Sequence, residues 1–362
     1  MTKICVYAIT KNESKHVERW MNSMSEANYV VVLDTGSTDD TVEKLQSLGA
    51  IVEQKQITPW RFDVARNESM KLIPDDADIC VCTDLDEVFE PGWAETLRKH
   101  WTADTEKGKY LYSWSHDASG KPLIQIWYEK IHANTDDWYW AMPVHEALTH
   151  KTKHSSQINM KYLPAEEFHL HHYPDLTKSR GQYLDLMKMG IEENPNDFMQ
   201  QWYYGRELYY HKRYTDSIKQ LEHVKRMPYQ GFEYQRSAAI VFLAHAYKMT
   251  GNMKAAEENY LIAAHIVNDV REPMLFLTQF YYEQQRWYAC IDAGLRTLGI
   301  EYVKGAWYED SRNYREKPHD YLSIAYWNIG DIETGKEHIE KALGYAPDDQ
   351  RLKSNYKFFI NN

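Results

Sequence analysis

Four times between residues 205 and 335 a small residue is followed, twelve positions on, by another: Gly205 and Ser217, Ala244 and Ala256, Thr278 and Cys290, Ser323 and Gly335. Few features restrict a chain so strongly. Small residues at one fixed place on two consecutive helices let those helices pack closely and antiparallel, so each pair predicts a helical hairpin. A tyrosine follows the first small residue within a turn in every segment: Tyr209, Tyr247, Tyr281 and Tyr326. The first small residues stand 39, 34 and 45 positions apart, against about 34 for a two-helix repeat, and the surplus is assigned to the loops at 227–234 and 299–318. Pro347, beyond Ala342, closes the last repeat. Residues 191–362 are therefore expected to form an all-α domain of stacked hairpins.

Residues 1–190 carry a different pattern. Short apolar runs, Lys3–Ile9, Tyr29–Leu33, Ala50–Gln54 and Asp78–Thr83, alternate with helix-like stretches at His16–Met24, Thr41–Leu48 and Asp63–Leu72. Such alternation predicts an α/β domain with parallel strands and helices on the sheet faces. Ligands of these sheets gather at the carboxyl ends of the strands. Thr10-Lys11-Asn12-Glu13, Asp34-Thr35-Gly36-Ser37 and Asp84-Leu85-Asp86 all fall there. In an extended strand end, residues two apart share a face, which would aim Asp84 and Asp86 at one site. Their repulsion is relieved by a hard divalent cation, Mn²⁺ or Mg²⁺, of the kind that bridges carboxylates to substrate phosphates. An isolated D-x-D is more often a solvated turn.

Here the motif is not isolated. The runs Ala8-Ile9-Thr10-Lys11-Asn12-Glu13, Leu33-Asp34-Thr35-Gly36-Ser37-Thr38-Asp39-Asp40-Thr41, Phe62-Asp63-Val64-Ala65-Arg66-Asn67 and Thr83-Asp84-Leu85-Asp86-Glu87, in that order, resemble the nucleotide-sugar-binding half of bacterial family 2 glycosyltransferases. With the hairpin repeats, the chain resembles the subgroup that adds C-terminal tetratricopeptide repeats. That subgroup includes peptide S-glycosyltransferases and relatives of lipopolysaccharide-core transferases. The resemblance implies a GT-A fold, a Rossmann-like mixed sheet, over residues 1–190 and tetratricopeptide repeats over 191–362.

It also implies roles. Thr10 and Asp34 would line the base pocket of a UDP-sugar, Asp34 accepting a hydrogen bond from the uracil ring. Asp63 and Arg66 would complete the surroundings of the nucleoside and diphosphate, with Asn67 supporting the loop. Asp84 would face ribose and metal, and Asp86 would bind the metal. Pro143-Val144-His145-Glu146 is similar to a Val-His-Glu element of the subgroup. An inverting transferase needs a base beside the acceptor; Glu146 is the candidate, with His145 as the alternative or as the group that orients it. In His169-Leu170-His171-His172-Tyr173-Pro174, His172 is favoured over His171 as a metal ligand. Strand alternation sets His169 and His171 on one face and His172 on the other. Lys178 and Arg180 follow, within reach of a diphosphate or as solvated helix charge.

Several partner classes are disfavoured. Net charge is −11 with no basic run, which argues against nucleic acid. No stretch approaches about 18 apolar residues, and the first ten residues lack a signal-peptide core, so a cytoplasmic chain without a membrane span is expected. The 28 Tyr and 12 Trp suit sugar or peptide surfaces and equally the core of helical repeats. Four cysteines, three of them in predicted strands, read as reduced core. The acceptor is expected to be a peptide, protein or glycan, with a homodimer through the repeats as another use for that domain. Two other readings remain: a nucleotidyltransferase, disfavoured because Thr10–Ser14 contains no glycine for a phosphate loop, and a repeat-based adaptor without catalysis.

Overall fold

The computed structural model describes residues 2–175, 181–228, 231–301 and 309–360. The chain divides into two compact units, Met1–Gly190 and Ile191–Asn362.

In the first unit, β1 (Ile4–Thr10), α1 (Ser14–Met24), β2 (Tyr29–Asp34), α2 (Thr41–Ser47), β3 (Ile51–Gln54), α3 (Phe62–Met70) and β4 (Ile79–Cys82) follow the expected alternation. Then come β5 (Glu87–Phe89), α4 (Trp93–His100), β6 (Lys107–His116), β7 (Pro122–Ala133), β8 (Trp138–Ala141), β9 (Ala147–His150), β10 (Met160–Tyr162), β11 (His169–His172) and α5 (Tyr183–Glu193). The main sheet runs β3-β2-β1-β4-β7-β6-β11-β5. Its first four strands are parallel, β7 runs antiparallel to both β4 and β6, and β5 closes the edge antiparallel to β11. The alternation accounts for the parallel half, and the whole is the mixed sheet that the resemblance implies.

Why β1 is central follows from its sequence, every residue of which is buried. Ile4, Val6 and Ala8 pack with Val17, Trp20, Trp93 and Leu97 on one face, whereas Cys5 and Tyr7 pack with Trp138, Trp140 and Leu148 on the other. Apolar residues on both sides of the pleat fit a strand covered on both faces. All four cysteines are buried and free. Because β2 lies on one side of β1 and β4 on the other, the connections diverge there, and the carboxyl ends of β1, β2 and β4 border the crevice that a switch of strand order opens.

The second unit is helical. The pairs α6 (Phe198–Tyr210) and α7 (Tyr214–Arg226), α8 (Glu233–Met249) and α9 (Met253–Ile266), α10 (Glu272–Glu283) and α11 (Trp287–Leu298), α12 (Glu316–Asn328) and α13 (Ile332–Tyr345) form four hairpins among the described residues, and α14 (Gln350–Ile360) follows. The small residues do what their spacing requires. Ser217 donates its hydroxyl hydrogen to the Gly205 carbonyl at 2.8 Å. A Cβ on Gly335 would stand 3.0 Å from the Ser323 carbonyl oxygen. Ala244, Ala256, Thr278 and Cys290 are wholly buried. This is the tetratricopeptide architecture. No helix among the described residues is long and apolar enough to cross a membrane.

Candidate active site

The chain between β4 and β5 does not continue as an extended strand. Residues 84–87 form a turn closed by the Glu87 amide donating to the Asp84 carbonyl at 3.0 Å, and Leu85 is drawn into the core. Strand alternation therefore does not set Asp84 and Asp86, and each meets its own partners.

Asp84 is held by two buried cations. Arg66 Nη2 donates to Oδ1 at 2.8 Å, and Lys130 Nζ donates to Oδ2 at 2.8 Å. Burial works against the carboxylate, but Arg66 and then Lys130 outweigh it and hold Asp84 well below the usual carboxylate range. Glu87, 1% exposed, accepts from the Asp84 amide and lies 3.2 Å from Lys130. Its pKa is raised, chiefly by burial, with Lys130 offsetting part of the rise. Lys130 itself stays charged, since Asp84 and Glu87 overcome the desolvation that would neutralise it.

Arg66 extends this cluster. Its Nε donates to Glu146 Oε1 at 2.7 Å, Nη1 to Cys82 Sγ at 3.1 Å, and its guanidinium lies 5.2 Å from the Trp140 ring centroid. One planar fork thus joins Asp84 to Glu146. Glu146 belongs to the β8–β9 connection, and this hairpin is tied to α3 at two points. Phe62 donates its amide to the Pro143 carbonyl, and Asn67 exchanges two 2.8 Å bonds with the Trp140 backbone. Met142 and His145 hold positive φ, 76° and 56°, a conformation costly for side-chain-bearing residues. The His145 ring meets Tyr183 edge-on at 6.3 Å.

Asp86 turns elsewhere. Its Oδ2 lies 3.3 Å from His172 Nε2, and its carbonyl accepts from the Tyr173 amide. The ring of His172 packs against Tyr112 and Trp114, and its Nδ1 donates to the Trp114 carbonyl at 3.1 Å. Burial alone would lower the His172 pKa, yet Asp86 lifts it above the ordinary 6.5.

The remaining expected residues lie at the ends of β1 and β2 and at the start of α3. Thr10 is buried, and its Oγ1 has no hydrogen-bond partner among the described residues. Asp34 is fully buried and braces its own loop, accepting from the Gly36 and Ser37 amides at 3.1 and 3.0 Å. Its Oδ2 receives a longer bond, 3.2 Å from Ser37, and keeps acceptor capacity. Asp63 is gripped by Arg61 through Nε and Nη2 at 3.0 and 2.8 Å. Lys178 and Arg180 lie outside the described residues. Arg61 and Lys130 were not anticipated. A lysine just beyond the Ile126-Trp127-Tyr128 run of β7 was the available signal for the second.

Residues 5–155 match the family model described as Glycosyl transferase family 2. That match lies wholly within the N-terminal unit and covers most of it. Curated relatives agree over a short stretch: an uncharacterized glycosyltransferase of Rickettsia prowazekii is 44% identical over 61 residues, 17% of this chain and 20% of its own. Another from Rickettsia bellii is 48% identical over 59 residues, 16% of this chain and 19% of its own. The matched stretch spans about a fifth of these relatives' length. Among solved structures, MamA is 16% identical with a TM-score of 0.39, covering 49% of this chain and 99% of its own. YrrB, a TPR protein with an unusual peptide-binding site, is 10% identical with a TM-score of 0.39, covering 48% of this chain and 82% of its own. The repeat assignment rests on the hairpins themselves and not on these likenesses. The matched segment includes Thr10, Asp34, Asp63, Arg66, Asp84, Asp86 and Glu146 and ends before His172.

Proposed function

We propose that this chain is a metal-dependent inverting glycosyltransferase that moves a hexose from a nucleotide sugar, UDP-linked by preference, to a peptide, protein or glycan acceptor. Residues 1–190 would be the catalytic domain and 191–362 the acceptor-binding domain. The observation that carries the reading is the meeting of Asp86 and His172 beside the Asp84–Arg66–Glu146 chain. One carboxylate and one imidazole form a mixed oxygen and nitrogen donor set, which suits Mn²⁺ better than the all-oxygen preference of Mg²⁺. Asp86 and His172 would hold the ion, which supplies charge stabilisation for the departing diphosphate.

The chain's own groups divide the rest. Thr10 Oγ1 and Asp34 Oδ2 would bound the base pocket, while Asp34 also shapes the loop that follows β2. Asp63, kept in place by Arg61, would border the nucleoside. Asp84 would receive the ribose, fixed in its ionised form by Arg66 and Lys130. Glu146 would take the acceptor proton, and its bond to Arg66 orients it towards the cluster. His145 is the alternative base. Helical repeats present a concave face suited to extended chains, which supports a peptide or protein acceptor over a free glycan; a second copy of this chain is the other occupant we consider.

The test is release of nucleoside diphosphate from a panel of UDP-, GDP- and TDP-sugars with Mn²⁺, comparing the wild-type chain with Asp86→Ala. Turnover of one donor, lost in the variant, is the expected result. Neither hydrolysis nor binding of any nucleotide by the wild type would overturn the reading in favour of a repeat-based adaptor.

A further inference from the structure

The face of β11 opposite to His172 carries a second cluster. Glu90, just beyond β5, lies across from His169, whose carbonyl accepts the Glu90 amide at 3.1 Å. Glu90 Oε1 is 3.0 Å from His171 Nε2 and 3.9 Å from His169 Nδ1. One donor atom from each of the three residues falls within 4.8 Å of the others. Zinc bonds of about 2.0–2.2 Å in a tetrahedral arrangement place donor atoms roughly 3.3 Å apart. The observed separations from Glu90 bracket that value.

The nitrogens that face away are also occupied. His169 Nε2 is 2.7 Å from Ser113 Oγ, and His171 Nδ1 is 2.9 Å from His116 Nε2. As the structure stands, His171 Nε2 donates to the Glu90 carboxylate at 3.0 Å; with the hydrogen on the outward nitrogen, where Ser113 and His116 can accept it, each inward lone pair would be free for a metal. A hydrogen-bond network alone accounts for less: at 3.9 Å from Glu90, His169 Nδ1 makes no hydrogen bond there. Glu90 is half-exposed, whereas the side chains of His169 and His171 are 10% and 14% exposed. The exposed carboxylate thus gives an entry path from solvent, by which a water would complete the ligand set.

We infer that Glu90, His169 and His171 bind a second divalent ion of the zinc type, with Ser113 and His116 orienting the two imidazoles. Two imidazoles and one carboxylate select Zn²⁺ or Co²⁺ over Mg²⁺. Such an ion would clamp β5 to β11, whose neighbouring residues Asp86 and His172 meet on the other face. The inference stands apart from the transfer reading, because its residues and its readout are separate.

The experiment uses the full chain without an affinity tag, with Co²⁺ added over excess Mg²⁺ and followed by visible absorption, then displaced with Zn²⁺. One equivalent of Co²⁺ with four- or five-coordinate bands is expected, unchanged in Asp86→Asn and displaced by one equivalent of Zn²⁺. Ser113→Ala should weaken binding about 10–100-fold, and Glu90→Gln should remove the bands. Glu90 is half-exposed and the exchange isosteric, so circular dichroism should report an unchanged fold. Absence of the bands in the wild type, or bands that survive Glu90→Gln and vanish in Asp86→Asn, would overturn the assignment.

Discussion

Replacing Arg66 with methionine isolates the electrostatic logic of the site. Arg66 and Glu146 are 7% and 11% exposed in their side chains and 2.7 Å apart, so solvent screens the pair little. Asp84 keeps Lys130 at 2.8 Å after the change, whereas Glu146 loses its ion-pair partner. Removing one member of a buried pair costs about 3–5 kcal/mol, most of it the burden of the carboxylate left behind. Arg66→Met should therefore destabilise the N-terminal unit by about 4 kcal/mol. Adding Glu146→Gln should recover about 1–3 kcal/mol of that loss, and adding Asp84→Asn should recover less. The assay is urea-dependent hydrogen exchange of peptides covering β1 and β4, which reports this unit separately from the repeats. Additive losses within about 0.5 kcal/mol for Arg66→Met and Glu146→Gln would refute the claim that the two buried charges are coupled.

Two further outcomes follow from packing and from proton linkage. On Gly335 a Cβ would meet the Ser323 carbonyl oxygen at 3.0 Å and Phe359 at 2.8 Å, so Gly335→Ala should cost about 1–3 kcal/mol. Gly344, in the same helix, has open space there, and Gly344→Ala should gain about 0.5 kcal/mol; urea unfolding of the repeat unit compares them. Buried His132, which accepts from the Tyr7 hydroxyl at 3.0 Å, has its pKa pushed down by burial to about 4 from the ordinary 6.5. The unfolded chain takes up that proton first, so stability is complete above pH 6.5 and falls by roughly 3 kcal/mol as pH drops towards 4. His132→Phe should flatten this part of the stability–pH curve, and an unchanged slope would remove His132 as its cause.

How much could be read beforehand depended on how local the signal was. The hairpins of α6 to α13 were legible because small residues recur at one offset within about 12 positions, a distance over which helix geometry alone fixes who meets whom. Strands β1, β2 and β4 were legible as apolar runs, since strands buried on both faces must be apolar throughout. The second half of the sheet was not. Strands β6 and β7 pair with register shifts near Gly108, Ser113 and Ser115, and buried Lys107, Lys130 and His132 interrupt their apolar pattern. A lysine in a strand ordinarily marks a solvent face. Lys130 is buried because Asp84 and Glu87, more than 40 positions earlier, converge on it, and no local pattern contains that fact.

The site shows the same division at the scale of single residues. Alternation along β11 was enough to separate His169 and His171 from His172, because it depends on the strand's own pleat. What each face meets is decided by β5, which runs antiparallel beside it with His172 opposite Glu87 and His171 opposite Val88. That register sends Asp86 to His172 and Glu90 to the other two histidines. Slipping β5 by one residue would exchange the faces, pairing the histidines with the wrong carboxylates. The turn at Asp84–Glu87 sets where β5 begins, so the tight backbone bond between Asp84 and Glu87 fixes both clusters at once. An insertion there should disturb the Asp86–His172 and Glu90–His171 contacts together, whereas substitution of either histidine should leave the other contact intact.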